Sequence, residues 1–160
     1  GGGGGGEGLA AVGLIPGHPL GFAAAAVEVT GPGGGWCQLP ALVDMGSTYS
    51  LVNSAAAAVA GVGPGNTGWQ PNHAQVLGVD GRPMSLALGP FASVRLLGPP
   101  GDPNGGIDLG PMPLHVGDMP GLQNAGFAPG PTGIIGLDIL GRRRCLLDFA
   151  EDRAYLLRSR

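Results

Sequence analysis

Residues 42–52 read LVDMGSTYSLV: Asp44 stands between an apolar run and Gly46, and Ser47, Thr48, Tyr49 and Ser50 follow before a second apolar pair. Where charged residues make up only 12% of the chain, such an acid is either a turn residue or a working carboxylate. The apolar runs on both sides weigh against a mere turn. Other chemistries find less support. His18, His73 and His115 are too scattered for a metal site and read as surface or loop residues. Cys37 and Cys145 have no histidine at metal-ligand spacing. Two cysteines make no disulfide framework, and they read as free buried thiols, with a single bridge as the alternative. The leading glycine run is not followed by Gly-Lys-Ser/Thr and so is no phosphate loop. No cofactor and no metal are expected. Asp138 and Asp148 read as structural acids, Asp138 as a helix cap or as the partner of an arginine in a buried ion pair. Arg142, Arg143 and Arg144 read as a solvated helix end, where cations suit the helix dipole.

The elements that must position Asp44 are short and β-rich. With Gly 34 and Pro 16 in 160 residues, composition alone would suggest low complexity. The small charged share and the apolar runs between Gly and Pro argue instead for strands separated by turns. The length suits one domain. A net charge of −3 offers no basic face to nucleic acid, and no window has the roughly 18 unbroken apolar residues of a membrane span. All eight basic residues are arginine, which reads as a coding bias. The expected setting is soluble, with an organelle such as a plastid as the compartment suggested by that bias.

Residues 1–22 read as a glycine-rich arm or linker, whose apolar patch at 9–15 has the alternative of adding a strand to a sheet edge. Residues 23–30 and 36–43 form a hairpin around GPGGG. Residues 52–62 form a short helix, capped by Asn53 or Ser54 and stopped by Gly61 or Gly63. A second hairpin spans residues 75–84 with Asp80-Gly81 at its tip, and strand-like runs continue to residue 97. Residues 114–116 form a short strand, 117–131 a loop, 133–136 an apolar strand end, and 138–143 one or two helical turns. A last hairpin joins residues 144–149 and 153–157.

In that order, three segments resemble the retropepsin-like aspartic proteases, the single-lobe relatives of pepsin. Residues 41–52 resemble the catalytic loop, usually Asp-Thr-Gly or Asp-Ser-Gly. Gly78-Val79-Asp80-Gly81 resembles the flap tip. Gly133-Ile134-Ile135-Gly136, with residues 137–140 and 146–149, resembles the second half's hydrophobic-hydrophobic-Gly motif and closing helix. The resemblance covers roughly residues 23–158. It implies a mainly β fold, a closed barrel-like acid-protease domain with one or two short helices.

It also implies an aspartic endopeptidase in which Asp44 activates a water against a peptide substrate. The chain carries one Asp-x-Gly-Ser, so the second carboxylate would come from another copy in a two-fold homodimer. Gly46 would donate its N–H to the carboxylate, Ser47 would donate a hydroxyl to it, and Gly136 would let the neighbouring strand pack close. Met45 departs from the pattern: it lacks the Thr or Ser hydroxyl that bonds across the dimer axis, although some retrotransposon-type relatives carry leucine there. The alternative is a weak or inactive pseudo-protease serving as a subunit or assembly factor in a larger complex. A β-barrel binding module without protease ancestry is a third reading.

Overall fold

The segment AAAVEVT alternates small or β-branched apolar residues with polar ones, and WCQLPALV does the same after a glycine turn. In the computed structural model, which describes residues 8–15, 22–78, 81–124 and 129–157, both are strands. In chain order the strands are β1 (Leu9–Gly13), β2 (Ala24–Thr30), β3 (Trp36–Val43), β4 (Leu51–Val52), β5 (Gln70–Leu77), β6 (Pro83–Leu96), β7 (Ile107–Val116), β8 (Gly133–Ile135), β9 (Cys145–Asp148) and β10 (Arg153–Leu157). Among the described residues three short helices join them: α1 (Ser54–Val59), α2 (Pro120–Asn124) and α3 (Leu137–Leu140).

The chain is mainly β, and six strands close a barrel. Their order is β2-β3-β8-β4-β7-β6, and β6 returns to β2 through pairs from Val27↔Leu96 to Thr30↔Ser93. β5 lies outside the closure and pairs with the other half of β6, from Gln70↔Leu88 to Leu77↔Pro83. Strand β6 thus serves the barrel with its C-terminal half and a projecting hairpin with its N-terminal half. A register shift between Leu88 and Phe91 separates the two, at Gly89-Pro90.

Because successive residues of a strand face opposite ways, each central strand carries two apolar sets. Ala41, Val52, Leu114, Val116 and Ile135 join Val27, Val29, Leu39, Val94 and Leu96 in the main core. Their neighbours Leu42, Leu51 and Ile134 point the other way and form a smaller cluster with Leu86 and Leu122. Val76 and Met84 of the projecting hairpin and Met119 pack against this second cluster.

Helix α1 is shorter than the 52–62 read from the sequence, because Val52 belongs to β4, but its cap is one of the two expected. Asn53 Oδ1 accepts the Ala56 N–H at 2.9 Å, and Gly61 follows with a φ of +71°. The helix end packs on the first hairpin's turn: a Cβ on Gly31 would lie 2.0 Å from the Ala60 carbonyl oxygen.

Several expectations need correction. The patch read as part of a linker is strand β1, which pairs with β10 from Leu9↔Leu157 to Gly13↔Arg153 and buries Ala10 and Val12. The patch therefore belongs to the fold, as the sheet-edge alternative had it. Strand β5 begins at Gln70, earlier than the hairpin read from residue 75. Strand β7 runs from Ile107, whereas only residues 114–116 read as strand. Its Gly110, Pro111 and Pro113 look like breakers. They are tolerated because β4 pairs with β7 only at His115 and Val116, so the proline stretch has a strand on one side only. Helix α2 lies in a segment read as loop, which makes three short helices rather than one or two.

Candidate functional site

Strand β3 delivers Asp44 into a tight loop. Pairs Ala41↔Gly133 to Val43↔Ile135 set β3 parallel to β8, and the Asp44 N–H continues the ladder to the Ile135 carbonyl at 2.9 Å. The chain then turns back: the Gly46 N–H donates to Asp44 Oδ1 at 2.8 Å, and the Ser47 N–H to the Asp44 carbonyl at 3.2 Å. The Gly46 bond is the one expected from the motif. Asp44 is half-buried at the chain surface beside Met45, which is 63% exposed. Ser47 behaves differently from expectation. Its hydroxyl donates to the Tyr49 carbonyl at 2.8 Å, a local bond that outcompetes the carboxylate.

The far side of the loop is held by β8 and α3. A Cβ on Gly136 would lie 2.6 Å from the Ser47 carbonyl oxygen and 2.7 Å from that of Tyr49, so only glycine admits this approach. The N–H groups of Leu137 and Asp138 donate to the Ser47 and Thr48 carbonyls at 2.8 and 3.2 Å. Ser50 completes the clamp. Its hydroxyl donates to Asp138 Oδ1 at 2.5 Å and accepts the Gly136 N–H at 2.8 Å, while its own N–H donates to both Asp138 oxygens at 2.9 Å. Asp138 therefore serves Ser50, not an arginine, and the N-cap of α3 is Gly136, which offers no side-chain bond. Arg143 is tied down as well, donating from Nη1 to the Leu157 carbonyl at 3.2 Å.

The β5–β6 hairpin stands over the same face. It is closed by bonds from the Gly78 N–H to the Arg82 carbonyl and from the Gly81 N–H to the Gly78 carbonyl, each 2.9 Å, with Gly81 at a φ of +73°. Val79 and Asp80, read as part of its tip, lie outside the described residues. Val76 and Met84 pack against the cluster that holds Leu42, Leu51 and Ile134, residues of the strands beside the Asp44 loop, together with Leu86 and Leu122. The Asp44 loop and the Gly133–Gly136 segment are thus neighbours in space, and the hairpin's described strands reach the same cluster.

One lateral row of paired residues joins them: Ala24, Leu42, Ile134, Leu51, His115, Leu88 and Gln70 stand side by side across the seven-stranded sheet. His115 was read as a surface or loop residue. It is a half-buried strand residue in this row, with its ring 4.8 Å from that of Tyr49 and 5.7 Å from that of His73. Burial holds its imidazole below the usual range. Asp138 pulls the other way, His73 pushes it lower still, and a hydrogen bond to the Ser50 backbone favours the charged form. Its place was readable in principle, since the apolar pair Leu114 and Val116 in the main core forces His115 to the opposite face. Ser50 and Asp138 had no such local signal.

Trp69 lies apart from the Asp44 loop. It lines a groove of about 500 Å³ between α1 and the segment around Asn66, and an adjoining one of about 260 Å³ with Ser85 and Asp118. Cys37 is buried and Cys145 half-buried, both free thiols pushed up by burial. No group of three or more His, Cys, Asp or Glu residues able to hold a metal occurs among the described residues. No helix among them is long and apolar enough to cross a membrane. No protein-family model matches the chain, and no curated protein matches it.

Proposed function

We propose that the chain is a retropepsin-like aspartic endopeptidase that works as a homodimer, each copy giving Asp44. The observation that supports this reading best is the Asp44 carboxylate, pinned by the Gly46 N–H on a loop clamped by Gly136 and faced by a projecting hairpin. Exposed apolar side chains border the loop, Met45 at 63% and Leu137 at 43%, as a second copy would require.

The chemistry follows from bringing two such loops together. Two carboxylates a hydrogen bond apart cannot both ionise, so they share one proton. The charged carboxylate takes a proton from a bound water as the water oxygen adds to the substrate carbonyl carbon, and the protonated one gives its proton to the carbonyl oxygen. The diol so formed then collapses, the C–N bond breaks, and a carboxyl proton passes to the leaving nitrogen. The resulting titration belongs to the pair. The hairpin from each copy would close over the peptide and exclude bulk water. The substrate is a peptide.

The second reading is a catalytically weak or inactive relative serving as a subunit or assembly factor. Met45 favours it, since an exposed thioether replaces the hydroxyl expected to bridge the two loops. Peptide cleavage between about pH 4 and 7, with Asp44→Asn and a statine-type inhibitor as controls, separates the readings. Cleavage lost in both controls supports the enzyme. A folded chain that cleaves nothing favours the subunit.

A further inference from the structure

We propose that His115 and His73 form a pH-dependent latch between the Asp44 loop and the β5–β6 hairpin, with His115 as its positioning residue. The His115 ring lies between the two parts, with Tyr49 of the loop at 4.8 Å and His73 of β5 at 5.7 Å between ring centroids. The hairpin has no barrel partner on its outer side, because β5 pairs with β6 alone. Its attachment to the loop therefore depends on side chains, and His115 stands where they meet.

The groups that face His115 set the direction of the response. From the loop come Tyr49 and the Ser50 backbone, from β5 His73, and from α3 Asp138. The flanking strand partners Leu51 and Leu88 are apolar. His73 is exposed, and its Nδ1 lies 3.1 Å from Gln70 Oε1. With its ring neutral, His115 packs tilted at 49° to Tyr49 and at 47° to His73. A proton on His115 places its charge 5.7 Å from the His73 ring in a half-buried setting, and His73 disfavours that charge. Burial lowers the folded-state pKa of His115. The unfolded chain thus binds more protons just below the ordinary histidine value of 6.5. The contribution of this group is therefore complete above that value and is lost as pH falls through the lower folded value. The latch is closed at neutral pH and loosens in acid. In the proposed peptidase, and only on that reading, acid would free the hairpin to admit substrate.

Hydrogen exchange of the intact chain tests the latch without requiring activity. Exchange is followed in residues 70–77 and 83–88, corrected for the intrinsic rate, from about pH 7.5 down to about pH 5.5. Hairpin protection is expected to fall by about threefold, the size of a unit-charge repulsion at this separation under water-like screening. Residues 27–30 and 93–96, which close the barrel, are expected to stay unchanged. His115→Gln should abolish the fall, and His73→Gln, at an exposed position, should reduce it without removing it, since burial of His115 remains. An equal fall in both variants, or none in the parent chain, overturns the proposal. Asp44→Asn should keep the fall, so a chain without peptidase activity leaves this result standing, and a failed latch leaves the peptidase reading standing.

Discussion

Ser50 and Asp138, 88 residues apart in sequence, are joined by three hydrogen bonds, two from the Ser50 N–H and one from its hydroxyl. The same hydroxyl accepts the Gly136 N–H. The loop that carries Asp44 is thereby fastened to the start of α3 by polar atoms withdrawn from water. Such bonds matter more for what their loss exposes than for their net gain.

Replacing Ser50 with Ala should consequently destabilise the fold by about 2–3 kcal/mol, because the buried Gly136 N–H loses its acceptor and Asp138 a donor. Asp138→Asn keeps an acceptor and should cost less, about 1 kcal/mol. Urea unfolding midpoints for the two variants check both the size and the order.

Gly136→Ala tests the closeness of α3 to the loop. The added methyl would meet two backbone carbonyl oxygens, at 2.6 and 2.7 Å, and neither can rotate away as a side chain would. The loop must move, at a cost of about 3 kcal/mol or more. In a thermal melt this variant should rank below Ser50→Ala, and proteolysis should cut it within residues 44–50.

Met45→Thr addresses the departure from the Asp-Thr-Gly pattern. Since the side chain is 63% exposed, monomer stability should shift by no more than about 0.5 kcal/mol. If two copies meet at this loop, the new hydroxyl adds a hydrogen bond on each side of the axis. Sedimentation should then show dimer affinity raised by about fivefold for each kcal/mol gained. Unchanged association would argue against Asp44 lying on a two-fold axis.

Val12→Ala asks whether the N-terminal segment is structural. Val12 is 1% exposed in the main core, opposite Ala154 of β10. Truncation should cost about 2 kcal/mol. A loss near zero would return the segment to the role of a tether.

What could be read from the chain alone was local. The Asp44–Gly46 bond spans two residues, and the hairpins and the α1 cap are written in adjacent residue types, so each was legible. Ser47 shows the limit of motif reasoning, because a nearby carbonyl captured its hydroxyl first. The rest depended on tertiary pairing. Strand β7 hid behind Gly110, Pro111 and Pro113, whose fitness for a strand depends on which edge stays unpaired. His115 was read within the short strand 114–116, but its half-buried place beside Tyr49 and His73 was not. Strand β1 sits in a glycine-rich context and becomes a strand because β10 offers it an edge. The bond between Ser50 and Asp138 needs the whole barrel to bring its ends together.

The division of labour within β6 has a bearing on how this protein can vary. The barrel is shut by residues 93–96 against β2, and the hairpin departs only beyond the register shift at Gly89-Pro90. Its tip at residues 78–82 can therefore be shortened, lengthened or exchanged without opening the closed ring, at the slowly growing entropic cost of a longer loop. The hairpin is a replaceable part mounted on a fixed frame, and other tips can be grafted onto it while the ring stays shut.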